Sequence, residues 1–283
     1  MRAIKTKFTI VIFLFLLPII LCHTILAQEE KEKKGKIEQF EKELEEDNSD
    51  STISNDNQEG GSVLSNLLGE ILFDPKVLLY LFIGSSDNED TFLGLNFWNS
   101  YFSDFPYQSR NVGLYASPEI ANKRFSMKLF GNYFYNSTDL QGFDFRARIC
   151  PLPFLGAALD FTELNEDLGA TQDNIQIYNI FLNYYRGRSQ HLALWWGLGA
   201  KGIAGDKTRH AFAINIGTEI YPIKPISFHF NYNIGLMNDN AVGELLLHLN
   251  FHIQRSIVFV GYHRYSVGTA ILDGAIGGIG IYL

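Results

Sequence analysis

The chain has 283 residues, of which 46 % are apolar, 14 % aromatic and 19 % charged, with 25 glycines. That balance is too apolar and glycine-rich for an ordinary soluble enzyme, and a net charge of −8 with no concentrated basic segment excludes a nucleic-acid partner. Only two cysteines are present, Cys22 and Cys150, which excludes a disulfide framework and a metal site built on thiolates.

Residues 1–27 read as a cleaved secretory signal. Arg2, Lys5 and Lys7 precede the run "FTIVIFLFLLPIILC", and Ala27 stands at the end of "TILA". The run is shorter than the roughly 18 apolar residues a membrane helix needs. Cys22 leaves with this leader, and the bulky Leu21 before it does not suit a lipid-modified cysteine. Residues 28–61 are mixed charge followed by Ser, Asn, Asp and Gly. They offer almost nothing to bury, which predicts a disordered periplasmic arm with at most a transient helix over 32–46. Residues 62–123 form a helical and irregular lead-in. Val63, Leu64, Leu67, Leu68, Ile71 and Leu72 share one helical stripe, and Asp74-Pro75 opens a second apolar piece, "KVLLYLFIG". The first reading of these pieces is a helix packed on the domain. An interfacial helix and a first barrel strand over 76–84 are the alternatives.

From about residue 124 the period changes to two. Strand-like segments stand at 125–136, 141–151, 153–163, 174–186, 190–202, 209–221, 224–236, 241–254, 256–267 and 273–283. No helical pattern interrupts them, and tight connections such as "CPLPF" and "QRS" alternate with longer ones such as "TELNEDLGATQDN". That order predicts an all-β domain over 124–283: an up-and-down antiparallel transmembrane β-barrel of about ten strands, or twelve if the lead-in adds a pair. Segments of ten or more residues suit a tilted crossing of a bilayer better than a globular sheet, whose strands average about 5–6 residues.

Alternation alone leaves the sidedness open. In "QGFDFRARICP", Phe143, Phe145, Ala147 and Ile149 oppose Asp144, Arg146, Arg148 and Cys150, and either set could face inward. Three features favour the apolar set facing lipid. They are the export signal, the aromatics at segment ends (Tyr133, Phe134, Tyr135, Tyr184, Tyr185, Trp195, Trp196, Tyr221, Tyr262 and Tyr265) and an apolar strand running to the last residue.

At "AIGGIGIYL" the chain resembles bacterial outer-membrane β-barrels, whose last strand presents alternating apolar residues and a terminal aromatic to the barrel-assembly machinery. Here Tyr282 stands one place before the terminal Leu283, which departs from that pattern. More narrowly, "RFSMKLFGNYFYN", "TEIYPIKP" and "GYHRYSVGTAILDGAIGGIGIYL" resemble a family of uncharacterised small bacterial outer-membrane β-barrel proteins. The resemblance covers 124–283 and implies an outer-membrane location, membrane lipid and the assembly machinery as partners, and no transferable activity. The expected role is structural, surface-interacting or small-solute-binding, with no cofactor and no catalysis. The alternatives are a surface hydrolase of the omptin kind, for which Asp167, Asp173 and His210 are the rim candidates, and a soluble periplasmic lipocalin-like carrier.

No nucleophile elbow, phosphate loop, HExxH or EF-hand pattern is present. Two sets on the polar faces remain. His229, Glu244, His248 and His263 lie on three successive segments, and the turn lengths allow a cross-strand row that could take a solute, a metal or a proton. The bland reading of the same residues is a hydrogen-bonded lumen. Lys128, Asp144, Arg146, Arg148 and Asp160, with Asn132, belong to the first three segments and are expected to form a lumen ion network.

Overall fold

The computed structural model describes residues 35–45, 99–109, 112–136, 139–169, 171–238 and 240–283. The expected signal and both apolar pieces at 62–84 lie outside the described residues. One helix, α1 (Lys36–Glu43), precedes two short strands, β1 (Tyr101–Phe102) and β2 (Tyr115–Ala116), which pair with each other. Ten long strands follow. They are β3 (Ser126–Tyr135), β4 (Leu140–Leu152), β5 (Leu155–Asp167), β6 (Gln172–Arg188) and β7 (Leu192–Ala204), then β8 (Thr208–Ile223), β9 (Ile226–Met237), β10 (Asn240–Ile253), β11 (Ser256–Val267) and β12 (Ala270–Tyr282). Each pairs antiparallel with its sequence neighbours, and β12 pairs with β3, closing the barrel. The chain therefore forms an up-and-down, closed ten-stranded antiparallel barrel.

Closure leaves the ten-strand sheet without an edge strand, the arrangement a bilayer requires of strands that cross it. Among the described residues no helix is long and apolar enough to cross a membrane. The strands' outward positions are apolar: Phe143, Phe145, Leu159, Ile180, Leu182, Phe212, Ile214, Phe228 and Phe230 are all exposed, while Asp144, Arg146, Asp160, Asn179, Asn215 and Asn231 between them are buried. A soluble carrier would show the reverse, because no water-facing surface presents so large an apolar band.

The expected long loop over 162–174 does not exist. The β5–β6 ladder continues to Asp167 opposite Gln172, leaving only residues 168–171 as the turn. The outward residues there are polar and brace each other: Asn174 Nδ2 donates to Glu163 Oε1 (2.9 Å) and Asn165 Oδ1 (2.7 Å). The hairpin thus rises past the apolar band as paired strand. Polarity marked where lipid ends, not where the strand ends.

The barrel has an entry end, where β3 begins and β12 finishes, and a far end formed by the turns at 136–139, 168–171, 205–207, 238–239 and 268–269. Residues of the lead-in close the entry end. Tyr115 donates to Pro153 O (3.0 Å), Tyr107 donates to Ile226 O, and Gly113 N donates to Gln190 O (2.6 Å). The far end is closed by α1, whose Ile37, Phe40 and Leu44 are completely buried with Leu164, Ile175, Met237, Val242 and Leu272. Of the arm expected over 28–61, residues 35–45 are described, and they hold this helix, inside the 32–46 stretch where a transient helix was expected. Ile37, Phe40 and Leu44 follow a helical i, i+3, i+7 spacing, too few to nucleate a core alone but sufficient to plug a ready-made apolar mouth. The helix lies at the end opposite the one where the chain enters β3.

Candidate functional site

Between the two apolar stoppers the lumen is polar, and its charges are matched both across the lumen and along the wall. Lys128 Nζ of β3 lies 2.9 Å from Glu219 Oε2 of β8, on the diametrically opposite side of the ten-strand ring. Lys201 of β7 reaches Glu244 of β10 at 2.8 Å, and Asn179 Nδ2 of β6 donates to the same Oε2 at 2.9 Å. Tyr265 of β11 donates to Thr162 of β5 at 2.8 Å. These are struts. Each exists because alternation points every second side chain inward, and a ten-strand barrel is narrow enough for long side chains to meet in the middle.

The predicted ion network is assembled in part. Arg146 Nε lies 3.1 Å from Asp144 Oδ1, Arg146 donates to Asn132 Oδ1 at 2.8 Å, and Arg148 pairs with Asp160. Lys128 departs from the expected set, crossing to Glu219 instead of joining its neighbours on β4 and β5. Four cations, Lys128, Arg146, Arg148 and Lys201, thus meet four carboxylates, Asp144, Asp160, Glu219 and Glu244. The pairing leaves no surplus charge among them to attract a counter-ion.

The row of three imidazoles does not form. His229 stands opposite His248 and stacks on it, with ring centroids 4.3 Å apart and planes 15° from parallel. His263 stands opposite Leu246, not His248, because the two-residue turn at 254–255 sets His248 against Gly261. A side chain at 261 would collide with Leu247 O at 2.1 Å, and the missing side chain makes room for the His248 ring. His263 joins a different cluster, with Nε2 3.0 Å from Glu244 Oε1 and Nδ1 3.4 Å from Asp144 Oδ2. His248 is held by Asn250 Oδ1 at 2.6 Å and Arg146 at 3.3 Å. All four residues do face the lumen. Stacked rings cannot aim two lone pairs at one ion, and among the described residues no group of three His, Cys, Asp or Glu has metal-binding placement.

Sequence reading missed Lys201 and Glu219. Both carried a signal: Lys201 is the lone charge of "LALWWGLGAKGIA", and Glu219 is the lone carboxylate of "TRHAFAINIGTEIYPI", each at an inward position. It missed Glu166 as well, whose partner α1 was expected to be unstructured. Of the rim candidates for a hydrolase, His210 lies on the outer surface with Nδ1 3.0 Å from Tyr178 Oη, while the Asp173 carboxylate lies beside Gly35 at the start of α1.

A cavity remains near the entry end between Tyr115, Lys128, Arg148, Trp195, Glu219 and His229. It offers about 20 Å³ to the centre of a water-sized sphere, room for about one or two waters. Beside it, His229 Nε2 and both polar atoms of Asn233 have no protein hydrogen-bond partner among the described residues.

Among solved structures, the chain is similar to the Yersinia pestis outer membrane protein Ail. The similarity to its backbone structure in a phospholipid bilayer nanodisc is 12 % identity with a TM-score of 0.32, covering 57 % of this chain and all of that one. A crystal structure of Ail, the attachment invasion locus protein of Yersinia pestis, gives 12 % identity, a TM-score of 0.31 and the same coverage. No family model matches the sequence, and no curated protein matches it. It is the closure of β12 onto β3, not this likeness, that makes the chain a barrel.

Proposed function

We propose that the protein is a bacterial outer-membrane β-barrel that acts as a closed post rather than a conduit. It presents its two ends to the spaces on either side and performs no catalysis. Membrane lipid is its solvent, and the barrel-assembly machinery is the partner that inserts it. The observation supporting this reading is the lumen. The diametric Lys128–Glu219 bond and the Lys201–Glu244 bond, which spans three strands of the ring, cross the path a solute would take, and apolar packing closes both mouths. A buried ion pair costs several kcal/mol to break on one side, so side-chain fluctuation does not open a channel. A small solute finds only water-sized space inside, and a surface or structural role at the ends fits better.

The test is reconstitution of the full chain in planar bilayers of outer-membrane lipid. The expected result is heat-modifiable gel mobility with no stepwise conductance above the bare bilayer. A sustained conductance with solute-sized selectivity would overturn the reading.

A further inference from the structure

We infer that the far end of the barrel is a helix-binding socket and that α1 is its exchangeable occupant, a ligand supplied by the chain itself. The barrel's hydrogen-bond ladder is complete without α1, which contributes no strand to it. The socket is composite. Glu166 comes from β5, Asp206 and Arg209 from the β7–β8 hairpin, Asn238 and Asn240 from the β9–β10 hairpin, and Thr269 from the β11–β12 turn. Its parts lie between 129 and 226 residues from their partners in α1. They come together only when the ring has closed, so α1 docks onto a finished barrel.

The helix has what a docking ligand needs and lacks what a free helix needs. At eight residues it is well below the roughly 12–15 at which isolated helices become even marginal. Its Gly35 N-cap supplies no side-chain hydrogen bond. Glu166 supplies both, accepting from Lys36 N at 2.9 Å and Ile37 N at 2.8 Å, so a barrel carboxylate faces the positive end of the helix. At the other end Asn240 and Asn238 donate to Glu43 O and Leu44 O, at 2.8 and 3.1 Å. The backbone groups that a short helix leaves unsatisfied are thus met by the barrel, and the segment becomes helical by docking.

The socket's chemistry specifies its ligand class: a short amphipathic helix with apolar side chains at i, i+3 and i+7 and carboxylates along its flank. Glu41 accepts from Asp206 N at 2.8 Å, Glu43 accepts from the Thr269 hydroxyl at 2.5 Å, and Glu45 meets Lys207 and Arg209 at 2.8 Å each. The segment of this chain fills it in cis. The same segment offered in trans is the competing ligand.

The experiment uses the full chain in detergent micelles or lipid vesicles and a fluorescein-labelled peptide, GKIEQFEKELE, copied from residues 35–45. Phe40→Asp places a charge in the apolar mouth, which weakens cis docking by more than about tenfold. The variant is expected to keep its heat-modifiable shift, to be cut by trypsin at Lys36 and Lys42 at least about tenfold faster than wild type, and to bind the peptide. Wild type is expected to bind it at least about tenfold more weakly, since its socket is occupied. Adding Glu166→Ala to the Phe40→Asp chain should lower peptide affinity again. A peptide carrying Phe40→Asp should bind neither chain. Equal binding to wild type and variant, binding to neither, or loss of the barrel's shift in Phe40→Asp would each overturn the inference.

Discussion

Glu244→Gln is the sharpest probe of the lumen. The Glu244 carboxylate takes Lys201 Nζ at 2.8 Å, Asn179 Nδ2 at 2.9 Å and His263 Nε2 at 3.0 Å. Glutamine keeps the shape and removes the charge. It leaves the Lys201 ammonium, completely buried, with only the Tyr265 ring 5.7 Å away as compensation, and such a face contributes at most about 2 kcal/mol. Breaking one side of a buried pair costs about 3–5 kcal/mol, so the variant should lose about that much in urea unfolding of the lipid-embedded protein, followed by tryptophan fluorescence. Lys201→Met combined with Glu244→Gln removes both charges. The double variant should recover stability relative to Glu244→Gln, with a coupling of roughly 1–3 kcal/mol. A loss below about 1 kcal/mol for Glu244→Gln is what a water-exposed pair gives. That outcome would mean bulk water fills the lumen, and the closed-post reading would go with it.

Phe230→Arg on the lipid face should cost about 2–4 kcal/mol near the bilayer midplane, against less than about 1 kcal/mol for Phe230→Leu; equal costs would refute the lipid-facing assignment. Asn231→Arg, which an open lumen would accept, should also be damaging, because Asn231 accepts from Trp195 Nε1 at 3.3 Å in space left by Gly217. Gly199→Ala should prevent assembly, as a Cβ there would sit 1.9 Å from Ile180 O, whereas a Cβ at Gly277 meets only Phe259 O at 4.0 Å, so Gly277→Ala should yield a normal heat-modifiable band. Docking of α1 should respond to pH through two opposed carboxyls. Lys207 and Arg209 hold the Glu45 carboxyl below its ordinary 4.5, so its contribution is present above 4.5 and is lost as pH falls through the lowered value. Burial pushes Glu41 above 4.5, so its contribution is present in acid and lost as pH rises. In Glu41→Gln only the first remains, and hydrogen-exchange protection factors across residues 36–43 should then fall on acidification; a rise would show the sign is wrong.

The ten strands were legible because a barrel wall imposes period two on each span, and chemistry on the two faces must differ when one solvent is lipid. Strand "ISFHFNYNIG" announces itself that way, with Phe228, Phe230 and Tyr232 on one side and Ser227, Asn231 and Asn233 on the other. Alternation by itself left the direction open; the export signal, the aromatics at segment ends and the apolar last strand pointed the apolar face outward, and in the closed barrel that face is exposed. The membership of the polar sets was legible; their partners were not. His229 and His248 could be matched through the β9–β10 turn, yet a shift of two residues across the next turn sent His263 to Glu244 and Asp144 instead. Lys128 pairs with Glu219, 91 residues away, because the ring's diameter is a tertiary length that no local pattern encodes. The helix α1 is the clearest division. Its i, i+3, i+7 apolar spacing was present in the sequence, but eight residues with no cap of their own have no stable structure to predict. The mouth of the closed barrel supplies the cap, the apolar surface and the charges, and so decides that the segment is a helix at all.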